Sequence, residues 1–156
     1  MTYIQNHTLL GSLQDYNQAL KELHGEVRER KPSRIQTQLV DYFEGVQTYI
    51  DQMLRTLRED LNEADARTFN QYTPETHPLD DLETHLPMPE KSAEWIEWVL
   101  QRQQHMADWC EHIAGLSISS RTTEVFGQIA EHLKEVNRAL ATDTQPYLQE
   151  SGQPSP

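Results

Sequence analysis

The sequence predicts an all-α protein, an antiparallel four-helix bundle of two helical hairpins joined by a long crossover. Apolar residues recur at steps of three and four in four segments, as in helices that bury one stripe. The second and fourth segments open with Ser33-Arg34-Ile35 and Ser120-Arg121-Thr122, which indicates a duplicated hairpin. Only six glycines occur in 156 residues, and several prolines lie between the periodic segments. Both features favour long helices over a sheet.

The first hairpin is predicted from two amphipathic segments separated by Lys31-Pro32. Proline disfavours helical geometry in the residue before it, so the first helix, about residues 8–30, ends there. Ser33 and Gln36 offer a capping box for the second helix, about residues 33–64. A connection this short makes the two helices antiparallel neighbours. The first apolar stripe is Leu9, Leu13, Tyr16, Leu20, Leu23 and Val27, and the second is Ile35, Leu39, Tyr42, Val46, Tyr49, Met53, Leu57 and Leu61.

The second hairpin follows a proline-rich stretch at about residues 69–90, which is predicted to be a crossover held to the surface by Leu79, Leu82, Leu86 and Met88. The third helix, about residues 90–115, carries Trp95, Val99, Arg102, Met106, Trp109, Ile113 and Leu116. Ser119 or Ser120 caps the fourth, about residues 120–141, with Val125 or Phe126, Ile129, Leu133, Val136 and Leu140. Residues 1–150 are predicted to form one domain, and 151–156 a disordered tail.

Composition excludes several classes of function. The net charge of -12 argues against nucleic acid and anionic membranes, because phosphate binding needs clustered lysine and arginine. No apolar run is long enough for a membrane span, and no signal peptide is recognisable, so we expect a cytoplasmic protein. Cys110 is the single cysteine. It could be a reactive thiol, but the pattern favours a small hydrophobic residue near the core.

The helix order, the long crossover and the similarity of the hairpins resemble the ferritin-like superfamily, specifically its rubrerythrin-type branch, over about residues 8–142. In that family each hairpin supplies a carboxylate from its first helix and a Glu-x-x-His from its second, and these bind two irons. This chain has Glu44-Gly45-Val46-Gln47 and Glu131-His132-Leu133-Lys134 instead. Both glutamates are predicted to point outward. The resemblance thus implies a bundle with degenerate di-iron ligands and no favoured cofactor.

The inward positions at mid-helix are predicted to be apolar on the second helix of each hairpin. The pairs are Val46 with Tyr49 and Leu133 with Val136. The first helices offer no glutamate at their centres, where they carry Tyr16 and Leu20, then Arg102, Gln103 and Met106.

A metal site could still lie beside the third helix. His105, Asp108 and His112 are spaced at i, i+3 and i+7, and His132 borders the stripe of the fourth helix. Imidazoles with a carboxylate would suit iron, manganese or zinc. The competing interpretation is that these residues lie at the rim of the core and form ordinary hydrogen bonds.

No motif typical of an enzyme occurs, so we expect a non-catalytic protein that acts by protein–protein association, as a homodimer or with another protein. The alternative is a divergent metal-binding bundle with oxidase-like or storage-like chemistry. Trp98, rimmed by Glu94, Glu97 and Gln101, either marks a dimer patch or completes the core. A small-molecule carrier is a third possibility, with an apolar cavity among Tyr16, Tyr42, Tyr49 and Met106.

Overall fold

The structure is a computed structural model that describes residues 2–72, 79, 91–117 and 119–152. The all-α class is confirmed, since this part of the chain forms six helices and two short strands. None of the described helices is long and apolar enough to cross a membrane. In chain order the elements are β1 Thr2–Gln5, α1 Asn6–Arg28, α2 Arg34–Asp60, α3 Glu63–Ala66, β2 Phe69–Tyr72, α4 Ser92–Leu116, α5 Ser120–Asp143 and α6 Gln145–Gly152.

The starts of α2 and α5 are set by serine caps. At α2 the predicted capping box is confirmed: the Gln36 backbone N–H donates to Ser33 Oγ at 3.1 Å, and the Ser33 N–H donates to Gln36 Oε1 at 2.9 Å. At α5 the cap is Ser119, whose Oγ accepts from the Thr122 N–H at 3.3 Å. These side chains satisfy N–H groups that have no partner within the helix.

The core consists of two clusters of buried apolar side chains, and each cluster contains residues of α1, α2, α4 and α5. The first joins the amino-terminal halves of α1 and α5 to the carboxyl-terminal halves of α2 and α4. The second joins the opposite ends of the same helices. Both helix pairs, α1 with α2 and α4 with α5, are therefore antiparallel. Leu79 is buried in the first cluster, as predicted, whereas Leu82, Leu86 and Met88 lie outside the described residues.

Four short elements, β1, α3, β2 and α6, were not predicted. Strands β1 and β2 pair antiparallel, with Ile4 opposite Asn70, and four residues are too few to show a periodic pattern. Asn62 caps the one-turn helix α3 through the Asp65 N–H at 2.8 Å, so α2 ends at Asp60 rather than near residue 64. Helix α6 includes residues 151 and 152, which corrects part of the predicted tail; residues 153–156 lie outside the described range.

The predicted apolar stripe of α2 is rotated relative to its buried face. The stripe of α4 is confirmed at five positions and fails at two; the buried five are Trp95, Val99, Met106, Trp109 and Ile113. Tyr49 is 53% exposed and Val46 is only half-buried, while Gln47 is fully buried. On α4 the inward residue is Gln103 rather than the half-buried Arg102, and Leu116 is exposed. The prediction of inward Val46 and Tyr49 is therefore wrong, because a stripe traced through apolar residues alone bypasses a buried amide. Leu133 is buried and Val136 half-buried.

Candidate functional site

Between the two apolar clusters each long helix contributes one buried side-chain amide. These four residues, which we call the amide layer, are Asn17, Gln47, Gln103 and Asn137. Along each helix the amide is flanked by one cluster on one side and by the other cluster on the other side; Gln47, for example, lies between Phe43 and Ile50. The layer therefore lies in the middle of the four long helices, between the two halves of the core.

Gln47 is the centre of the hydrogen bonding in this layer. Its Nε2 donates to Asn17 Oδ1 at 3.0 Å and to Gln103 Oε1 at 2.9 Å. In return, Asn17 Nδ2 donates to the Gln47 backbone carbonyl at 2.8 Å. These bonds tie α1, α2 and α4 together across the core. Buried polar groups are tolerated when they are paired in this way.

The hydrogen-bonding capacity of the layer is only partly used. Gln47 Oε1, Gln103 Nε2 and both amide atoms of Asn137 are buried, and they have no hydrogen-bond partner among the described residues. The free groups include both acceptors and donors. The layer therefore offers neutral polar contacts inside an otherwise apolar core, and none of its four members carries a charge.

His24 extends the polar region toward the second apolar cluster. Its ring is fully buried, with its centroid 5.1 Å from that of Phe43 and 5.9 Å from that of Trp95. Burial lowers the pKa of His24 to about 4, and the neighbouring Gln47 side chain offsets part of this effect. No described residue forms a hydrogen bond of normal geometry with either ring nitrogen. At neutral pH His24 is consequently an uncharged imidazole.

The donor set does not fit a di-iron centre of the kind that ferritin-like proteins carry. Such a centre is built from inward carboxylates and histidines, whereas the layer supplies amides, with one imidazole beside it. Glu44 and Glu131 point away from the core, as predicted. Glu44 accepts a hydrogen bond from Arg28 Nε at 3.0 Å, and Glu131 is an exposed partner of Lys134 at 3.7 Å.

The alternative metal ligands are not brought together into a three-ligand group. His105 lies half-buried with its ring centroid 5.9 Å from that of Tyr16, and exposed Asp108 accepts from Gln104 Nε2 at 2.8 Å. His112 is half-buried and His132 is exposed. Within the described residues, no group of three histidine, cysteine, aspartate or glutamate side chains could hold a metal ion. Metal binding by these residues stays a prediction.

The structure also bears on three other predicted candidates: the Cys110 thiol, the Trp98 patch and the cavity among the tyrosines. Cys110 is buried in the first cluster, and burial raises the pKa of its thiol far above the usual range, which disfavours a reactive thiolate. Trp98 is half-buried and lies beneath the Arg102 guanidinium, 4.9 Å from the ring centroid. Tyr42 donates to Asp143 Oδ2 at 2.6 Å. Because Tyr49 is exposed, it does not line an enclosed cavity with Tyr16 and Met106.

A second polar cluster, at the end of the molecule near the β strands, was missed in the sequence. We call it the end network: Asn6, Asn70, Ser117, Thr122 and the backbone carbonyl of Asp65. Asn6 Nδ2 donates to Thr122 Oγ1 at 2.7 Å and to the Asp65 carbonyl at 2.9 Å. Asn70 Nδ2 donates to Asn6 Oδ1, and Ser117 Oγ donates to Asn70 Oδ1 at 2.9 Å.

No protein-family model, curated protein or solved structure matches the chain. The resemblance to the ferritin-like superfamily stays a prediction.

Proposed function

We propose that this protein is a non-catalytic, ferritin-like four-helix bundle of two hairpins, and that it acts in the cytoplasm by protein–protein association, first of all with a second copy of itself. The observation that supports this function is the amide layer. A catalytic di-iron bundle needs inward carboxylates at the level where this chain carries Asn17, Gln47 and Gln103, hydrogen-bonded to one another. The interior is thus suited to holding helices in place rather than to chemistry.

The amides have a structural use that agrees with this proposal. A buried amide pair is satisfied in only one alignment of the helices, so it can fix register at some cost in stability. Gln47 bonds to two helices at once, and this contact aligns α2 with both α1 and α4. Function is then left to the surface, where Tyr3, Tyr49 and Phe69 are 65%, 53% and 58% exposed. Exposed aromatic side chains are enriched where proteins bind one another.

Metal content tests the non-catalytic part of the proposal. We expect protein purified without a histidine tag, from cells supplied with iron, manganese and zinc, to carry no stoichiometric metal by elemental analysis. We also expect a chelator to leave its melting temperature unchanged.

One or two bound ions per chain that disappear in the His105→Ala/His112→Ala variant would contradict the proposal. That result would establish the divergent metal-binding alternative, with oxidase-like or storage-like chemistry. A double Ala substitution at the exposed positions Glu97 and Gln101, on the same helix, is the matched control and should leave metal content unchanged.

A further inference from the structure

The outward side of α2 carries a glycine that its own fold does not require. Gly45 is exposed, and a Cβ atom placed there would meet nothing within 4 Å. No described glycine has a positive φ, so the backbone at residue 45 suits any amino acid. Glycine in a helix interior is nevertheless destabilising relative to alanine. One turn later, Tyr49 projects into solvent on the same side of the helix.

We propose that this side of α2, which we call the α2 outer face, is the interface of a homodimer. The face consists of Gln38, Asp41, Gly45, Tyr49, Gln52 and Thr56, all exposed. Two copies of α2 pack antiparallel about a two-fold axis at the level of residue 47. In such an isologous contact the Tyr49 ring of each copy lies over Gly45 of the other, where the absent side chain leaves room. The proposal rests on the proposed association function and names its surface.

The charges along α2 select the antiparallel arrangement. Arg34 and Glu59 lie near opposite ends of the helix, both exposed and without an ion pair to any described residue. With the axis at residue 47, Arg34 of one copy faces Glu59 of the other, and this pair occurs twice. A parallel arrangement would instead set Arg34 against Arg34 and Glu59 against Glu59, which is repulsive.

A second pair follows the same symmetry closer to the centre. Asp41 and Arg55 are exposed on one edge of the face, and the antiparallel packing brings Asp41 of each copy within about one helical turn of Arg55 of the other. Within one chain, Asp41 already pairs with Arg28, and Arg55 Nε lies 2.8 Å from Asp51 Oδ2. These charges form a polar rim around the central Tyr49–Gly45 contacts.

The role of Gly45 in the interface can be tested by substitution, with a second glycine as the control. Gly45→Gln places a side chain where the ring of the second copy would lie. In sedimentation velocity over a concentration series, we expect the dimer dissociation constant to rise at least about tenfold. The melting temperature of the variant at low concentration should not fall, because the new Cβ meets nothing within the chain. Gly25→Gln, at another helix-interior glycine with open space, should leave dimerisation unchanged.

The charge pairs allow a complementation test with the full chain. Arg34→Glu and Glu59→Arg should each weaken self-association by about tenfold, since each replaces two attractions by two repulsions. An equimolar mixture of the two variants should recover dimers close to the wild-type affinity, because every facing pair is then of opposite charge. Recovery only on mixing is specific to this antiparallel pairing.

Two results would overturn the inference. The first is a wild-type chain that remains monomeric over the whole concentration series. The second is a dimer that neither Gly45→Gln nor the charge variants affect, which would move the interface elsewhere while leaving the proposed association function intact. The metal analysis is independent of both results, so the failure of one proposal can be distinguished from the failure of the other.

Discussion

The amide layer and the end network are both built around buried side-chain amides, but the hydrogen-bonding groups of these amides are paired to different extents. In the end network, Asn6 and Asn70 have hydrogen-bond partners for both amide atoms, and the donors come from three separate parts of the chain. In the amide layer, both atoms of Asn137 lack a partner among the described residues. A satisfied network fastens elements together, whereas an unsatisfied one carries a desolvation cost that the surrounding packing must offset.

The difference follows from where each cluster lies. The end network joins short elements, β2 and the turn after α4, to the starts of α1 and α5, so backbone carbonyls and hydroxyls are within reach. The amide layer lies between two apolar clusters, in the middle of long helices whose backbone groups are already paired. Apart from the Gln47 backbone carbonyl, which accepts from Asn17, its hydrogen-bond partners are side chains of other helices. Loss of a single amide should therefore cost more in the layer than at the end.

The largest expected effect comes from Gln47→Ala. This change leaves the Asn17 and Gln103 amides without their shared donor and creates a cavity in the core, so we expect the free energy of unfolding to fall by about 4 kcal/mol. Chemical denaturation measures it. Gln52→Ala, at an exposed position of the same helix, should change the free energy by less than about 0.5 kcal/mol.

Replacing all three hydrogen-bonded amides at once tests whether unpaired amides cause the loss of stability in Gln47→Ala. The triple variant Asn17→Leu/Gln47→Met/Gln103→Met removes the partners together, so it should be more stable than Gln47→Ala by at least about 2 kcal/mol. If the triple variant is no more stable than the single one, the cost of Gln47→Ala comes from packing and not from unpaired amides.

The next largest effect is the pH dependence that His24 adds to the layer. Its pKa is about 4 in the folded chain and about 6.5 when unfolded. Between these values only the unfolded chain binds the proton, so the free energy of unfolding falls as pH falls. The loss is about 3 kcal/mol between pH 7 and pH 4, and it stops below pH 4, where both states are protonated.

His24→Gln provides the reference for this prediction, since carboxylates titrate equally in both proteins. The difference in unfolding free energy between wild type and variant should change by about 3 kcal/mol across that range. Parallel pH profiles for the two proteins would show that the folded chain binds the proton as readily as the unfolded one.

A smaller effect is expected from Asn6→Ala in the end network. It leaves the Asn70 amide and the Thr122 hydroxyl short of a partner, and we expect a loss of about 2 kcal/mol. Hydrogen exchange supplies a local readout: amides of β1 and β2 should exchange faster in Asn6→Ala than in wild type, because Asn6 ties Asn70 to α5. Gln47→Ala, at low denaturant, should not cause this selective change.

The smallest effect is that of Ser33→Ala, which removes the side-chain oxygen that accepts from the Gln36 N–H at an exposed position and leaves the bond from the residue 33 N–H to Gln36 in place. The capping box makes two bonds of 2.9 and 3.1 Å, but water can replace them. The loss should be about 1 kcal/mol by thermal or chemical denaturation. A loss as large as that of Gln47→Ala would mean that burial does not account for the difference between the amide layer and this exposed cap.

The helical class, the position of the proline break after Lys31 and the cap at Ser33 follow from the sequence alone, which left Ser119 or Ser120 as the cap of α5. These are local properties: periodicity, the geometry of proline and the side chain of one residue reaching a nearby N–H group. The outward direction of Glu44 and Glu131 was also predictable, because a helix fixes the angle between residues two apart.

Which face of α2 is buried, and hence that Gln47 lies inside and Tyr49 outside, depends on packing against the other helices. The buried face of α2 is apolar except at Gln47, and an amide can be buried when distant residues such as Asn17 and Gln103 supply its hydrogen bonds. The β1–β2 pairing and the end network have the same origin, since their partners lie more than 40 residues apart. The local sequence pattern carries no information about such distant partners. They are required because polar groups that are buried in the fold must be hydrogen-bonded.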